Sequence, residues 1–138
     1  SLGFTLFEPF ENDIGISTRE KLINEIMVLL GGRVAEEIFF GNKISSGAVK
    51  DLEQVRNLIQ KMVLQYGMGN SLMIPYNSDK YREKIDFEIE QIFNKAYQET
   101  KYLLSNSKQL IRECADLLVV EHELTKEQIL NKIENFNK

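Results

Sequence analysis

The sequence has very little of three features that would point to common functions. It contains one cysteine, Cys114, which excludes an internal disulfide and a zinc site built from several cysteines. No apolar run approaches the ~20 residues of a membrane-spanning helix, and no signal peptide is visible. The formal net charge is −4 and no basic run stands out, which argues against a nucleic-acid partner. We therefore expect any membrane attachment to lie outside these residues.

Chemically active side chains are equally scarce. His122 is the only histidine, and no residue near it offers a second metal ligand at a usable spacing, so we expect it at the surface. Cys114 lies on an apolar helical face with no base nearby in the sequence, which predicts a buried structural thiol. The sequence contains no glycine-rich phosphate loop, no Ser/His/Asp set and no HExxH motif. These residues therefore hold no complete active site.

The sequence does contain enough apolar residues to form the core of one domain. Apolar residues make up 43% and charged residues 28% of the chain, a composition typical of soluble globular proteins. A domain of 138 residues buries about two-thirds of its unfolded surface. The chain opens at Ser1 without an initiator methionine, which predicts a segment of a longer protein.

The spacing of the apolar residues predicts a mainly α-helical fold with one short strand. Alternating apolar residues over 2–6 predict that strand. A first long helix follows, because Ser17 and a glutamate three residues later form a capping box, and Gly41 is a natural C-cap. Gly31 and Gly32 lie inside this helix. Since the apolar register continues past them, we interpret them as a point of close packing.

Helical periodicity then continues to the end of the chain. The second predicted helix runs from near Gly47 to Tyr66, with Gly67 as C-cap, and the third runs over 79–104, with Ser78 as N-cap. A fourth helix covers the apolar residues of 110–118. A last helix begins at a capping box formed by Thr125 and Gln128. We expect the last two helices to form a helical hairpin. No internal repeat interrupts the pattern, so residues 1–138 are expected to form a single domain.

Asp51 stands out because of its place in the second predicted helix. Steps of four, three and four residues put it on the same face as Val55, Leu58 and Met62. A carboxylate on an apolar face is expected to be paired, hydrogen-bonded or bound to a metal, since an isolated buried charge is too costly. Alternatively, Asp51 is an exposed first-turn acid favoured by the helix dipole. Periodicity alone leaves both interpretations open.

A second acidic candidate is the pair Glu36 and Glu37 near the end of the first helix. Arg33 precedes them by three and four residues, which is the spacing of ion pairs on one helical face. The pair is therefore expected to form a solvated face or to bind Arg33.

Several motifs resemble, in the same order, those of one protease family. Residues 30–41 read Leu-Gly-Gly-Arg-Val-Ala-Glu-Glu-Ile-Phe-Phe-Gly and resemble the LGGRxAEExxxG segment of FtsH-type proteases, which are membrane-anchored AAA+ zinc metalloproteases. Residues 2–5 resemble ALGYT, 45–52 resemble TTGAxNDL, 65–68 resemble QYGM, and 117–129 look like the closing LLExExL…EI pattern. The resemblance is strong over 2–68, and over 78–133 it lies mainly in the helix pattern.

This resemblance implies a mostly helical peptidase domain that is joined, in the full-length protein, to membrane helices and an AAA+ module using ATP and Mg²⁺. It implies a homo- or hetero-hexameric ring, anchored in a bacterial inner membrane or an organelle membrane, that degrades membrane and unfolded proteins. In the family, two histidines of an HExxH helix and a downstream aspartate hold zinc, and that aspartate corresponds to Asp51. Glu36 is the second choice, as a ligand in another geometry or as a partner of the ligands.

The sequence departs from the family pattern near the implied site. HExxH, with two ligands and the general base, is absent, so these residues are expected to be inactive by themselves. Lys50 stands where the family has asparagine, and the shorter connection over 68–78 leaves substrate binding by residues 72–74 open. Two alternatives therefore remain: a catalytically inactive FtsH-like scaffold for ring assembly, and an unrelated helical interaction domain.

Overall fold

The structure is a computed structural model that describes residues 16–47, 49–72 and 77–136. Within these ranges the regular structure is helical, which confirms the mainly α prediction. The elements are α1 (Arg19–Phe40), a 3-10 turn (Gly41–Lys43), α2 (Val49–Leu64), α3 (Asp79–Asn106), α4 (Lys108–Glu121) and α5 (Lys126–Phe136). The strand predicted over 2–6 lies outside the described residues. Among the described helices, none combines the length and the apolar character that spanning a bilayer requires.

The first helix, α1, begins at a different cap from the predicted one. Thr18 Oγ1 accepts a hydrogen bond from the Lys21 N–H at 3.1 Å, so the prediction of Ser17 as N-cap is wrong. Both hydroxyl side chains suit an N-cap, and the extended backbone of Thr18 places its oxygen over the first turn. The prediction for the other end is confirmed, since Gly41 is the C-cap with a φ of 55°, a conformation that favours glycine.

The second helix, α2, ends at Leu64, two residues before its predicted end. Gly67 adopts a φ of 62°, and the Met68 N–H donates to the Met62 carbonyl at 2.7 Å, which turns the chain away. Tyr66 therefore lies outside the helical register, and its side chain is 49% exposed. The prediction that the helix extends to Tyr66 is wrong for this reason.

The third helix, α3, begins as predicted and ends slightly later. Ser78 is its N-cap, and the Ser78 hydroxyl accepts a hydrogen bond from the Tyr81 N–H at 3.2 Å. The helix continues to Asn106, past the predicted end at 104. Ser107 ends α3 and also caps α4, since its hydroxyl accepts the Leu110 N–H at 3.4 Å. One serine therefore separates two helices.

The C-terminal helices form the predicted hairpin. The Thr125 N–H donates to the Gln128 side chain at 2.9 Å, and the Gln128 N–H donates to the Thr125 hydroxyl at 3.1 Å, which confirms the capping box. Helices α4 and α5 pack against each other after this turn. The hairpin also contacts α1, so it is part of the core rather than an appendage.

The first helix is the centre of the core, because it packs against α2, α3 and α4 and also touches α5. Gly31 and Gly32 are buried inside it, and the helix passes through them without a break. The largest fully buried apolar side chains come from all five helices: Ile26, Leu30, Ile59, Met62, Leu104, Ile111, Leu118 and Ile129. This packing encloses the C-terminal half of α1, where the acidic pair of residues 36 and 37 lies.

The thiol of Cys114 is buried in α4, as predicted. Burial raises its pKa to about 12, and the neighbouring Glu113 carboxylate acts in the same direction. Because the thiolate is the reactive form, we expect a disulfide reagent at about pH 8 to label Cys114 at least ~100-fold more slowly in the folded chain than in urea. Equal labelling rates in the two states would show that α4 opens readily.

Candidate functional site

Asp51 lies in the first turn of α2, directly after a short turn formed by residues 44–47. In this turn the Gly47 N–H donates to the Ser45 hydroxyl at 3.1 Å. The Val49 N–H donates to the Ser46 carbonyl at 3.2 Å and so begins the helix. The direction in which Asp51 leaves the backbone is therefore tied to the conformation of this turn.

The carboxylate of Asp51 is partly withdrawn from water. The apolar face predicted for α2 is present, since Val55 and Met62 are buried and Leu58 is half-buried. Burial disfavours the charged form and raises the pKa of Asp51 above its ordinary value. Within the described part of the chain, no side chain or backbone group forms a hydrogen bond or ion pair with this carboxylate. A half-buried carboxylate in this state would gain from a cation beside it.

Glu36 is buried completely, with a relative exposure of 0%. Its carboxylate accepts the Ser45 N–H at 2.8 Å and the Ser45 hydroxyl at 2.9 Å. Arg33 instead pairs with Glu37, Nε to Oε1 at 2.9 Å, and the Tyr97 hydroxyl also donates to Glu37. The predicted ion pair is thus confirmed for Glu37, whereas the prediction of a solvated Glu36 is wrong because the turn after α1 covers it. Its role as a metal ligand stays a prediction.

His122 is also placed differently from the prediction. Its side chain is only 12% exposed, and its ring stacks on Phe40 with centroids 4.2 Å apart. Its Nε2 atom lies 3.5 Å from Oε1 of Glu36 and makes no hydrogen bond with the described residues. The surface prediction is wrong because the hairpin of α4 and α5 folds back against the end of α1. Neighbouring residues in the sequence carry no signal of this contact.

A second buried glutamate forms hydrogen bonds with the segment that follows α2. Glu88 of α3 accepts the Asn70 N–H at 2.7 Å and the Ser71 hydroxyl at 3.0 Å. Arg19 of α1 adds a hydrogen bond from Nε to the Met68 carbonyl at 3.1 Å. Both connections of α2 are therefore fixed by buried carboxylates, a feature that the helical pattern in the sequence did not indicate.

The described residues do not by themselves form a metal site. Among them, no group of three or more histidine, cysteine, aspartate or glutamate side chains is arranged to hold a metal ion. The structure connects the two predicted site residues through Ser45, which bonds to Glu36 and lies in the turn before Asp51. Any metal centre that uses Asp51 therefore needs ligands from elsewhere.

Comparison with known proteins agrees with the motifs found in the sequence. The model of peptidase family M41 matches residues 1–132. The chain belongs to peptidase family M41. This membership confirms the resemblance to FtsH-type zinc metalloproteases, and it removes the alternative of an unrelated helical domain.

The M41 relatives share sequence along almost the whole chain. The chain is 33% identical to an ATP-dependent zinc metalloprotease FtsH of Synechococcus, over 96% of this chain and 24% of that protein. It is 36% identical to FtsH 2 of Bdellovibrio bacteriovorus, over 94% of this chain and 24% of that protein. It is 33% identical to FtsH 3 of Phytoplasma mali, over 99% of this chain and 22% of that protein. The chain thus spans less than a third of the length of these relatives.

Proposed function

We propose that these residues form part of the proteolytic domain of an ATP-dependent zinc metalloendopeptidase, in which Asp51 supplies the third protein ligand to zinc. The observation that carries this proposal is the half-buried carboxylate at the start of α2, which forms no hydrogen bond or ion pair with the described residues. The chemistry of zinc also supports the proposal, because zinc binds carboxylate oxygen as well as histidine nitrogen. The segment that contains it lies within the match to the family.

The position of Asp51 suits a ligand in two respects. A ligand carboxylate has to be ionised, and the first turn of a helix favours a negative charge. Partial burial raises the pKa of Asp51, and a neighbouring cation would shift that pKa back down and favour the ionised form. Asp51 would fix geometry and charge at the site, while the glutamate of an HExxH helix would act as general base.

The two remaining protein ligands would be the histidines of that HExxH helix, which these residues do not contain. When bound, zinc supplies Lewis-acid chemistry, activating water and polarising the scissile carbonyl. Lys50 follows Val49 at the start of α2 and is exposed, and successive helical positions point about 100° apart. The side chains of Lys50 and Asp51 therefore leave the helix on different faces.

We further propose the arrangement of the full-length protein. It would be a membrane-anchored hexamer that uses ATP and Mg²⁺ in an AAA+ module to deliver membrane and unfolded proteins to the peptidase domain. The names of the relatives support the requirement for ATP and zinc, since each is called an ATP-dependent zinc metalloprotease.

Metal analysis tests the proposal for the zinc site. We expect the full-length protein to retain stoichiometric zinc after dialysis, and the 138-residue chain to retain none and to cleave nothing. The reason is that a single carboxylate cannot replace the three or four ligands of a zinc site. The measurement is elemental analysis of both purified proteins, with Asp51→Ala as the control in each.

Two outcomes would contradict this expectation. Stoichiometric zinc in the 138-residue chain that disappears with Asp51→Ala would show that the remaining ligands lie within it. A full-length protein that lacks HExxH and binds no zinc would support a catalytically inactive scaffold for ring assembly.

A further inference from the structure

A cavity of about 290 Å³ lies between α1 and α3, and the segment that follows α2 closes one side of it through Asn70. The floor of the cavity is apolar, because Met27, Ile92 and Ala96 are buried side chains of the core. This volume is close to the lower limit of about 300 Å³ for pockets that hold small ligands. A ligand of this cavity would therefore be small and would place an apolar group on the floor.

One wall of the cavity is held in place by a connected set of hydrogen bonds. Arg19 of α1 donates from Nη2 to the side-chain oxygen of Asn70 at 3.3 Å, and the Asn70 amide group donates to Gln91 of α3 at 2.9 Å. The backbone N–H of Asn70 donates at the same time to the Glu88 carboxylate at 2.7 Å. Because these bonds join α1 to α3, the wall is formed before a ligand enters, which lowers the cost of binding.

The rest of the rim carries polar side chains whose bonding capacity is unused. Asn24, Lys95 and Glu99 form no hydrogen bond or ion pair with the described residues, and the same holds for Glu20 in the first turn of α1. Lys95 and Glu99 are one helical turn apart on α3, so charges of both signs border the same apolar floor. Charged groups in a cleft attract groups of the opposite sign. The rim therefore suits a ligand that has a negative and a positive group on either side of a short apolar part.

We propose that this cavity binds a short apolar peptide by its free ends. Lys95 binds the terminal carboxylate and Glu99 binds the terminal ammonium group, both through charge-assisted hydrogen bonds. The carboxamide of Asn24 donates to the carbonyl and accepts from the N–H of the peptide group, and an apolar side chain covers the floor. A free amino acid has the same charged ends, but it lacks the internal peptide group that Asn24 binds.

This inference goes beyond the proposed function, because binding of a peptide at this cavity does not require Asp51 to hold zinc. Short peptides with free ends are what proteolysis releases. Within the proposed function the cavity would therefore bind the products of the reaction, and only this consequence rests on that function.

The test is a titration of the isotopically labelled 138-residue chain with the dipeptide Leu-Leu, followed by nuclear magnetic resonance. We expect the backbone amide signals that shift to lie in residues 19–27 and 91–99, which line the cavity. Leu-Leu with free ends should bind at least ~10-fold more tightly than the same dipeptide with both ends blocked, since each hydrogen bond to a charged group typically contributes about that factor. Free leucine should bind more weakly than Leu-Leu.

Two variants of α3 locate the charged contacts. Lys95→Ala and Glu99→Gln should each weaken the binding of Leu-Leu by about 10-fold. Both side chains are exposed on the helix surface, so neither change disturbs the core. Lys101→Ala is the matched control, because Lys101 is an exposed lysine of the same helix whose Nζ lies 5.7 Å from the Tyr97 ring centroid, outside the cavity. Its binding of Leu-Leu should be unchanged.

Several results would overturn the inference. Failure of Leu-Leu to bind at millimolar concentration, or shifts confined to other helices, excludes the cavity as a peptide site. Equal binding of the blocked dipeptide shows that the charged ends are not recognised, and equal binding of free leucine assigns the cavity to amino acids instead of peptides. Unchanged binding in both Lys95→Ala and Glu99→Gln also contradicts it. The proposed function is decided separately, by the zinc content of Asp51→Ala, because no step of the titration uses a metal or proteolysis.

Discussion

Replacement of Asp51 by alanine in the full-length protein is expected to abolish proteolysis while ATP hydrolysis continues. Removing a partner of a metal ligand typically costs 10–100-fold, so we expect removal of the ligand itself to lower proteolysis by more than ~100-fold. ATP hydrolysis would be carried out by a separate module and does not require this carboxylate. The measurements are degradation of an unfolded protein substrate and release of phosphate from ATP, on the same preparation.

Two further variants separate charge from position at this site. Asp51→Asn keeps the size of the side chain but removes its charge, and it should lose activity almost as fully as the alanine variant, because zinc ligands are deprotonated. Lys50→Ala changes the charge of the preceding, exposed residue and should leave proteolysis nearly unchanged. Normal proteolysis in the Asp51 variants would remove this residue from the metal site.

Helix positions could be predicted from the sequence because the apolar residues recur at helical spacing over long segments. The ends of the helices were less predictable. Ser17 and Thr18 are adjacent hydroxyl residues, and only the backbone geometry shows that Thr18 is the cap. Tyr66 fits the apolar register but lies in the turn after α2, where that register no longer applies. Local competition between neighbouring residues decides such boundaries.

The surroundings of the site depend on contacts that periodicity does not encode. Glu36 looks like an ordinary helical acid until the turn after α1 brings Ser45 onto it. His122 looks like a surface residue until the hairpin of α4 and α5 packs against Phe40. Asp51 was ambiguous from periodicity, and only the surrounding motif favoured a metal ligand. The partial burial of its carboxylate agrees with that interpretation.

The largest expected effect on stability comes from truncating Leu104 near the end of α3. Its side chain is 1% exposed and belongs to the core that joins α3 to the other helices. Leu104→Ala removes this apolar surface and leaves a cavity, which typically costs ~2–5 kcal/mol in the free energy of unfolding. Urea unfolding of the 138-residue chain, followed by circular dichroism, measures this loss.

The adjacent Leu103 provides a matched control, because the same substitution in the same helical turn leaves helix propensity and composition identical. Its side chain is 38% exposed, so Leu103→Ala removes fewer core contacts and should cost less than ~1 kcal/mol. The difference in unfolding free energy between the two variants therefore measures the effect of burial, separately from any effect on helix formation. Equal losses in the free energy of unfolding for the two variants would contradict the orientation of α3 in the core. They would also contradict the placement of the C-terminal hairpin, which packs around Glu36.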